Sequence, residues 1–336
     1  IIPSVSWLIL GRKHNRNVCV KMALSPDQSA ALDALCRAWN IQEQLAPFQP
    51  FVWRREQGRT LHLDDVSGIP FLDGVPGMEE YQHRARVRCG DGDLFAAVTP
   101  PAAGYEAYCR DVLGMGEPLF VMAEPVGSVI EVASACAQGT AFEQICEIAQ
   151  QTGRLMIHPY MGIASVWALA EKIHQTTGAA THVVGPPPPV TWIANDKGQL
   201  TQLIDAVLGA DKRVDGVESR DPWVVARGLR QLASRYDRVG LKRSRCASAM
   251  GNQVYASAPI RQLDDEGVCA LVEEFAQATQ WDGEEAILAC AWLDAYASPS
   301  TQLWIPPEGL GEPRVEGVYE QLLQGETCVF LGSRPS

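Results

Sequence analysis

The chain has 336 residues, of which 46% are hydrophobic and 20% are charged, and its formal net charge is −12. This length supplies a core for two or three domains. The excess of acidic side chains argues against nucleic acid or an anionic membrane as the main partner, although a local basic pocket can still bind a small anion. No apolar run approaches the ~20 residues of a membrane-spanning helix.

The ten cysteines show no CxxC pair and no other metal-binding spacing. Most of them lie in apolar runs or on helical faces, where a free thiol behaves as a small hydrophobic side chain. We therefore expect a protein of the reducing cytoplasm. The first residues, Ile1-Ile2-Pro3, include no Met and no signal-peptide pattern, so we expect a fragment or a chain without its natural start.

The first half of the chain alternates strands with helices. Two short apolar strands come first, and Ser25-Pro26-Asp27-Gln28 is typical of a helix start because Ser25 can cap the helix and Gln28 completes a capping box. The regular part that follows consists of strands over 119–123, 155–157 and 181–184 and helices over 140–151 and 163–177. This alternation predicts right-handed crossovers and a largely parallel sheet.

Residues 44–80 are harder to assign, because prolines interrupt their periodicity. A small polar cluster of His62, Asp64 and Asp65 lies there, and we weigh a metal site against a solvated turn. Farther along, His158 follows a predicted strand end, where ligands tend to bind in parallel sheets. The alternative for His158 is a structural loop.

Gly185 and the four prolines after it form the clearest break in composition. We place a domain boundary there, between residues 1–184 and residues 185–336. Beyond the boundary the predicted strands come in neighbouring pairs, which favours an α+β unit with antiparallel strands. The strand over 301–305 is a candidate partner for the strand over 285–293.

Two lysines of the second half stand in unusual places. Lys197 ends an Asn-Asp-Lys sequence at a helix entrance, and Lys242 ends the apolar strand Val-Gly-Leu-Lys. A lysine inside an apolar strand needs a reason to be there. Small residues follow it, among them Ser248, Gly251 and Asn252, and they permit a loop to approach phosphates through backbone N–H groups. Together these residues predict a site for a nucleoside triphosphate.

With this layout the chain resembles the ATP-grasp superfamily of carboxylate–amine ligases, in particular its pre-ATP-grasp, peptide-ligase-like group. The Asn-Asp-Lys sequence is similar to the entry segment of that fold, and Val-Gly-Leu-Lys is similar to its strand lysine. The resemblance spans residues 119–336, and more loosely the rest. It implies an α/β fold, with a Rossmann-like (pre-ATP-grasp) α/β domain over 1–184 and an α+β ATP-grasp domain over 185–336.

The resemblance also implies an activity, namely an ATP-dependent ligase that joins a carboxylate to an amine through an acyl phosphate. ATP and Mg²⁺ would be its cofactors. Lys197 and Lys242 would offset phosphate charge, and Ser248, Gly251 and Asn252 would belong to the nucleotide site. The implied partners are a small-molecule carboxylate and amine (an amino acid or peptide), with no nucleic acid and no membrane, and a homodimer is a possible assembly.

Some features depart from the family pattern. The loop after Lys242 has one glycine where several are common, and Ala289, Cys290 and Ala291 stand where an acid for ribose or adenine is expected. No Glu-x-Asn occurs before Ser336, which predicts a chain truncated at its C-terminus or one that binds nucleotide without turnover. A catalytically silent nucleotide-binding or interaction protein is therefore the alternative function. Without GxGxxG after a strand, an oxidoreductase is disfavoured, and without GxSxG, a serine hydrolase is too.

Overall fold

The structure is a computed structural model that describes residues 5–9, 19–70, 72–246, 251–295, 297–307, 309–325 and 328–336, with side chains from residue 24 onward. Contacts divide the chain into two compact units. One unit is Ile41–Trp192, and the other combines Ile1–Asn40 with Ile193–Ser336. Within the described ranges every helix is too short or too polar to cross a lipid bilayer.

The secondary structure of the described residues is mixed. In chain order the strands are β1 Val5–Ile9, β2 Cys19–Ala23, β3 Thr60–Leu63, β4 Leu94–Ala97, β5 Leu119–Met122, β6 Arg154–Pro159, β7 Ala180–Val183, β8 Gly216–Ser219, β9 Arg238–Arg243, β10 Asn252–Ala256, β11 Ile287–Ala291, β12 Pro299–Trp304, β13 Arg314–Gln324 and β14 Val329–Pro335. The α-helices are α1 Pro26–Ala38, α2 Ile41–Leu45, α3 Tyr105–Ala107, α4 Val132–Cys136, α5 Gly139–Thr152, α6 Ala164–Thr177, α7 Pro188–Asn195, α8 Lys197–Val207, α9 Pro222–Ala233, α10 Ser257–Ile260 and α11 Asp265–Ala278. Short 3-10 helices cover Ala46–Phe51, Met78–Arg88 and Ala210–Lys212, and Tyr108–Val112 is a π-helix.

The unit Ile41–Trp192 is built on a five-stranded parallel sheet in the order β5-β4-β3-β6-β7. Its core gathers Leu61 of β3 and Ile157 of β6 with Ile145 of α5 and Leu169 of α6. The chain runs outward from β3 to β5 and then crosses to the far side of β3, so the strand order reverses between β3 and β6. The parallel sheet predicted from the alternation of strands and helices is confirmed.

The strands of the other unit are antiparallel throughout its described residues. β8 to β11 form a four-stranded sheet in the order β10-β9-β11-β8. One face of this sheet packs against α9 and α11, with Leu229, Leu241 and Phe275 in the core. β12, β13 and β14 form a second sheet, and β1 pairs with β2. The predicted α/β class, with a parallel sheet ahead of an α+β region, is confirmed.

The predicted pairing of the strand over 301–305 with the strand over 285–293 is wrong. In the structure β12 pairs with β13 in an antiparallel hairpin and belongs to the sheet β12-β13-β14. β11 instead lies between β9 and β8. The physical reason is that both edges of β11 are already hydrogen-bonded, to β9 and to β8, while β12 pairs with β13, the next strand along the chain.

The compact units also differ from the predicted division into residues 1–184 and 185–336. The first segment joins the later unit because α1 packs against α8. Gln28 Nε2 donates a hydrogen bond to the carbonyl oxygen of Val207 at 2.6 Å. The capping box predicted at the start of α1 is confirmed, since Ser25 Oγ accepts from Gln28 N and Gln28 Oε1 accepts from Ser25 N.

Candidate functional site

The four-stranded sheet has an open face opposite its packed core. Side chains alternate along a strand, so Leu241 enters the core while Gly240 and Lys242 of β9 face the other way. The register places Leu288 of β11 opposite Lys242 and Cys290 opposite Gly240. These residues therefore share the open face.

A cavity of about 1180 Å³ lies over this face. Strands β8 to β11 line it on one side, and the rest of its described lining comes from α8, β13 and residues 213–214, 292–295, 297–298, 325 and 328. Cavities that hold small molecules and cofactors measure roughly 300–1,000 Å³, so this one has room for a nucleotide. Its polar lining includes Glu218, Lys242, Asn252 and Glu320.

Lys242 is one of two cations that β9 presents to the cavity, the other being Arg238. Its Nζ lies 4.6 Å from the centroid of the Trp292 ring, a cation–π contact that orients the ammonium group. The two arginines of the lining, Arg213 and Arg238, each pair with an aspartate. Across the described side chains Lys242 has no such carboxylate partner. Its charge is therefore available to an anion in the cavity.

Lys197 is not among the residues that line the cavity. Its Nζ donates hydrogen bonds to the carbonyl oxygens of Arg243 at 3.0 Å, Ser244 at 3.2 Å and Cys246 at 3.1 Å. An ammonium group has three donors, so these carbonyls take all of them. Burial lowers the pKa of Lys197 from its ordinary value. The side chain thus ties the loop after β9 to the beginning of α8.

Asp196 fastens the same loop from a second position. Its Oδ1 caps α8 by accepting from the backbone N of Gly198 and of Gln199, at 3.0 and 3.1 Å. Its Oδ2 accepts from Arg245 Nε at 2.9 Å. A helix cap of this kind contributes about 1 kcal/mol, and here the capping residue also holds the loop.

The other predicted site residues lie close to this loop. Asn252 lines the cavity and pairs with Lys242 across β9 and β10. Gly251 packs at the base of the loop, where a Cβ would lie 2.6 Å from Cys246 Sγ, so only glycine fits. Ser248 lies outside the described residues. The structure therefore brings Lys242 and Asn252 together at the cavity and places Gly251 behind them.

Sequence reasoning missed two residues of the lining, Glu218 and Trp292. Glu218 Oε1 lies 3.4 Å from Gln202 Nε2. Its Oε2 is enclosed and accepts no hydrogen bond from the described atoms. Pairing the strands in register would have found both residues. Glu218 of β8 lies opposite Leu288 of β11 and so shares its face of the sheet, and Trp292 directly follows β11.

The magnesium site stays a prediction, because Mg²⁺ at a nucleotide is usually held by one or two carboxylates together with the phosphates. In the ranges with described side chains, no group of three or more His, Cys, Asp or Glu residues is placed to hold a metal ion. Glu218 and Glu320 are carboxylates of the cavity lining, but they do not belong to such a group. We therefore assign no step to a protein-held Mg²⁺.

The two alternatives weighed for His62, Asp64 and Asp65, a metal site and a solvated turn, are both wrong. All three side chains are buried. His62 Nε2 lies 3.2 Å from Asp93 Oδ2, and Asp64 Oδ1 accepts from Arg88 Nη2 at 2.5 Å. Asp65 accepts hydrogen bonds from a nearby serine and from the backbone at the start of α4. The cluster is a buried polar network.

His158 belongs to strand β6, and its ring lies 5.3 Å from the ring of His62. Burial, helped by the charge of Arg88, lowers the pKa of His158 from 6.5 to about 4. The folded state therefore keeps His158 neutral at a pH where the unfolded chain protonates it. The stability that neutral His158 confers is fully present above the pKa that this histidine has in the unfolded chain. It is lost as the pH falls toward the lower pKa that His158 has in the folded protein.

We expect the free energy of unfolding to fall on acidification. Protonation of His158 accounts for at most about 2 kcal/mol of this loss between about pH 7 and about pH 5. His158→Gln removes the titrating group and should lose less over the same interval. Urea unfolding of both proteins at the two pH values measures the difference. Equal losses in the two proteins would mean that His158 is protonated alike in the folded and unfolded states.

No protein-family model matches the chain, and no curated protein matches it. Among solved structures, D-alanyl-alanine synthetase A from Vibrio cholerae is similar with 11% identity and a TM-score of 0.44, over 80% of this chain and 68% of that one. N5-carboxyaminoimidazole synthetase from Staphylococcus aureus, complexed with ADP, is similar with 8% identity and a TM-score of 0.42, over 83% of this chain and 58% of that one. D-cycloserine synthetase DcsG is similar with 11% identity and a TM-score of 0.34, over 67% of each chain. These likenesses are remote, so no residue role is transferred from them.

Proposed function

We propose that the unit containing Ile193–Ser336 binds ATP in the cavity over the four-stranded sheet. We further propose that the protein is an ATP-dependent ligase, which joins a carboxylate to an amine through an acyl phosphate. The observation that supports this most is Lys242, whose ammonium group lies over Trp292 beside a cavity of about 1180 Å³. A cation that has no carboxylate partner among the described side chains, in such a cavity, suits a polyphosphate.

Each residue of the proposed site has a distinct part. Lys242 offsets negative charge on the phosphates, and Asn252 lies beside it as a hydrogen-bonding group. Trp292 offers an apolar surface next to Lys242. Lys197 holds the loop after β9 through its three carbonyl acceptors, so its proposed contribution is to position the loop. Direct contact between Lys197 and a phosphate stays a prediction, because it requires Nζ to exchange these carbonyls for phosphate oxygens.

A catalytically silent nucleotide-binding or interaction protein is the second candidate. The observation that favours it is the lack of a metal-binding group among the described side chains. A screen for ATP consumption over amino acids and short peptides, with Mg²⁺ present, separates the two candidates. Consumption that depends on an added amine supports the ligase, whereas ATP binding without consumption supports the silent protein.

The cellular compartment and the partners of the protein also stay proposals. The cysteines with described side chains are free thiols, which supports a reducing compartment such as the cytoplasm. The partners that we propose are a small carboxylate and an amine, either an amino acid or a peptide. A homodimer remains a prediction.

Lys242→Ala is expected to weaken ATP binding at least tenfold, because it removes the ammonium group from the cavity. Calorimetric titration of the full chain with ATP and Mg²⁺ measures the effect. Lys212→Ala is the matched control, since Lys212 is an exposed lysine of the same unit that pairs with Asp211 at 2.5 Å. Unchanged affinity in Lys242→Ala would show that the cavity is not the ATP site.

A further inference from the structure

The unit Ile41–Trp192 carries a second polar centre, which the proposed nucleotide site does not use. In an open parallel sheet, ligands bind outside the carboxyl ends of the strands, at the point where the strand order reverses. Here that point lies between β3 and β6. Asp64 and Tyr160 directly follow these two strands, and Tyr160 N donates to the carbonyl oxygen of Leu63 at 3.2 Å.

Asp64 is fully enclosed and interacts with two arginines of the 3-10 helix Met78–Arg88. Its Oδ1 lies 2.5 Å from Arg88 Nη2, and its Oδ2 lies 3.4 Å from Arg84 Nε. The contact with Arg84 is too long to satisfy Oδ2, which accepts no hydrogen bond from the described atoms. Two guanidinium groups thus approach one enclosed carboxylate, and a second carboxylate, Asp93, pairs with the neighbouring His62.

Arg84 makes cation–π contacts with two phenol rings. Its Cζ lies 4.1 Å from the centroid of the Tyr81 ring and 4.4 Å from that of the Tyr160 ring. Its Nε donates a hydrogen bond to the carbonyl oxygen of Tyr81 at 3.1 Å. Yet Arg84 Nη2 and Arg88 Nε are enclosed and find no acceptor among the described atoms.

We propose that this centre binds a small-molecule oxyanion, a carboxylate or a phosphoryl group, at the edge of Arg84 between Tyr81 and Tyr160. The oxyanion accepts hydrogen bonds from the accessible part of the guanidinium group of Arg84, whose side chain is 40% exposed. A planar guanidinium group fits either oxyanion with two parallel hydrogen bonds. Tyr81 and Tyr160 are 36% and 48% exposed, so the centre is open to solvent on that side. This site is independent of nucleotide binding.

The test uses inorganic phosphate and succinate as probes, titrated into the full chain at constant ionic strength. A ligand that binds the folded state raises Tm with its concentration, and calorimetric titration gives the Kd. We expect saturable binding, and the probe that binds more tightly identifies the group as phosphoryl or carboxylate. Arg84→Gln should weaken binding at least tenfold. Arg110→Gln is the matched control, because Arg110 is an exposed arginine of the same unit that pairs with Asp111.

A second variant keeps the test decisive if Arg84→Gln does not fold. Tyr160→Leu removes one of the two stacked rings from an exposed position and leaves Asp64 and Arg84 intact, so it should also weaken binding. The inference is overturned if neither probe binds the wild-type protein saturably. It is equally overturned if Arg84→Gln binds the probes as tightly as Arg110→Gln, because Arg84 would then only brace the fold.

Discussion

Arg243→Met is expected to lower the free energy of unfolding by about 3–5 kcal/mol. Arg243 and Glu285 form a buried ion pair, with both side chains 4% exposed and Nε 2.5 Å from Oε1. Arg243 Nη1 also donates to the carbonyl oxygen of Thr279 at 2.6 Å. Methionine fills the space but leaves the Glu285 carboxylate buried without this partner. Urea unfolding at neutral pH measures the loss.

The double variant Arg243→Met/Glu285→Leu separates the charge effect from packing. Replacing both members of a buried pair by apolar side chains is often close to neutral, so we expect the double variant to recover most of the lost stability. A double variant as unstable as Arg243→Met would assign the loss to the shape of the arginine, and the explanation by an uncompensated buried charge would be wrong.

Lys197→Met is expected to lower the free energy of unfolding by about 3 kcal/mol, because three loop carbonyls lose their donor at once. The change should also release the loop after β9 locally. Hydrogen exchange of the backbone amides over 243–246 should therefore become faster than in the wild-type protein. Urea unfolding and exchange measured by mass spectrometry report the two effects.

Lys212→Met is the control for Lys197→Met, since it removes an exposed lysine from the same unit. An exposed substitution of this kind changes stability by less than about 0.5 kcal/mol. If Lys197→Met unfolds like the control and its loop amides exchange at the wild-type rate, the three hydrogen bonds do not hold the loop.

The architecture was largely predictable, because it follows from local periodicity. Strands alternating with helices predicted the parallel sheet of the unit Ile41–Trp192, and strands in neighbouring pairs predicted the antiparallel sheets. The 3-10 helix Met78–Arg88 was not predicted, because its residues are mostly polar and show little amphipathic pattern. Its buried Gln82, His83 and Arg86 are set by contacts that are distant in sequence.

The site was predictable only in part. Lys242 stood out because a charged residue inside an apolar strand is rare. The surroundings of Lys197 could not be predicted, because its three acceptors are backbone carbonyls, which leave no trace in side-chain identity. The burial of Asp64 escaped prediction for a different reason, namely that its partners are distant in sequence. Its partners Arg84 and Arg88 reach it only once the sheet and the 3-10 helix have formed.

Gly240 limits how this protein can change in evolution. A Cβ at residue 240 would lie 2.7 Å from Trp292 Cε3, so any other residue there pushes the indole away from its place. The ammonium of Lys242 rests on that same ring. We therefore expect residues 240 and 292 to vary as a pair among descendants of this sequence. Glycine at residue 240 is compatible with tryptophan at residue 292, whereas a residue with a side chain at 240 requires a smaller residue at 292.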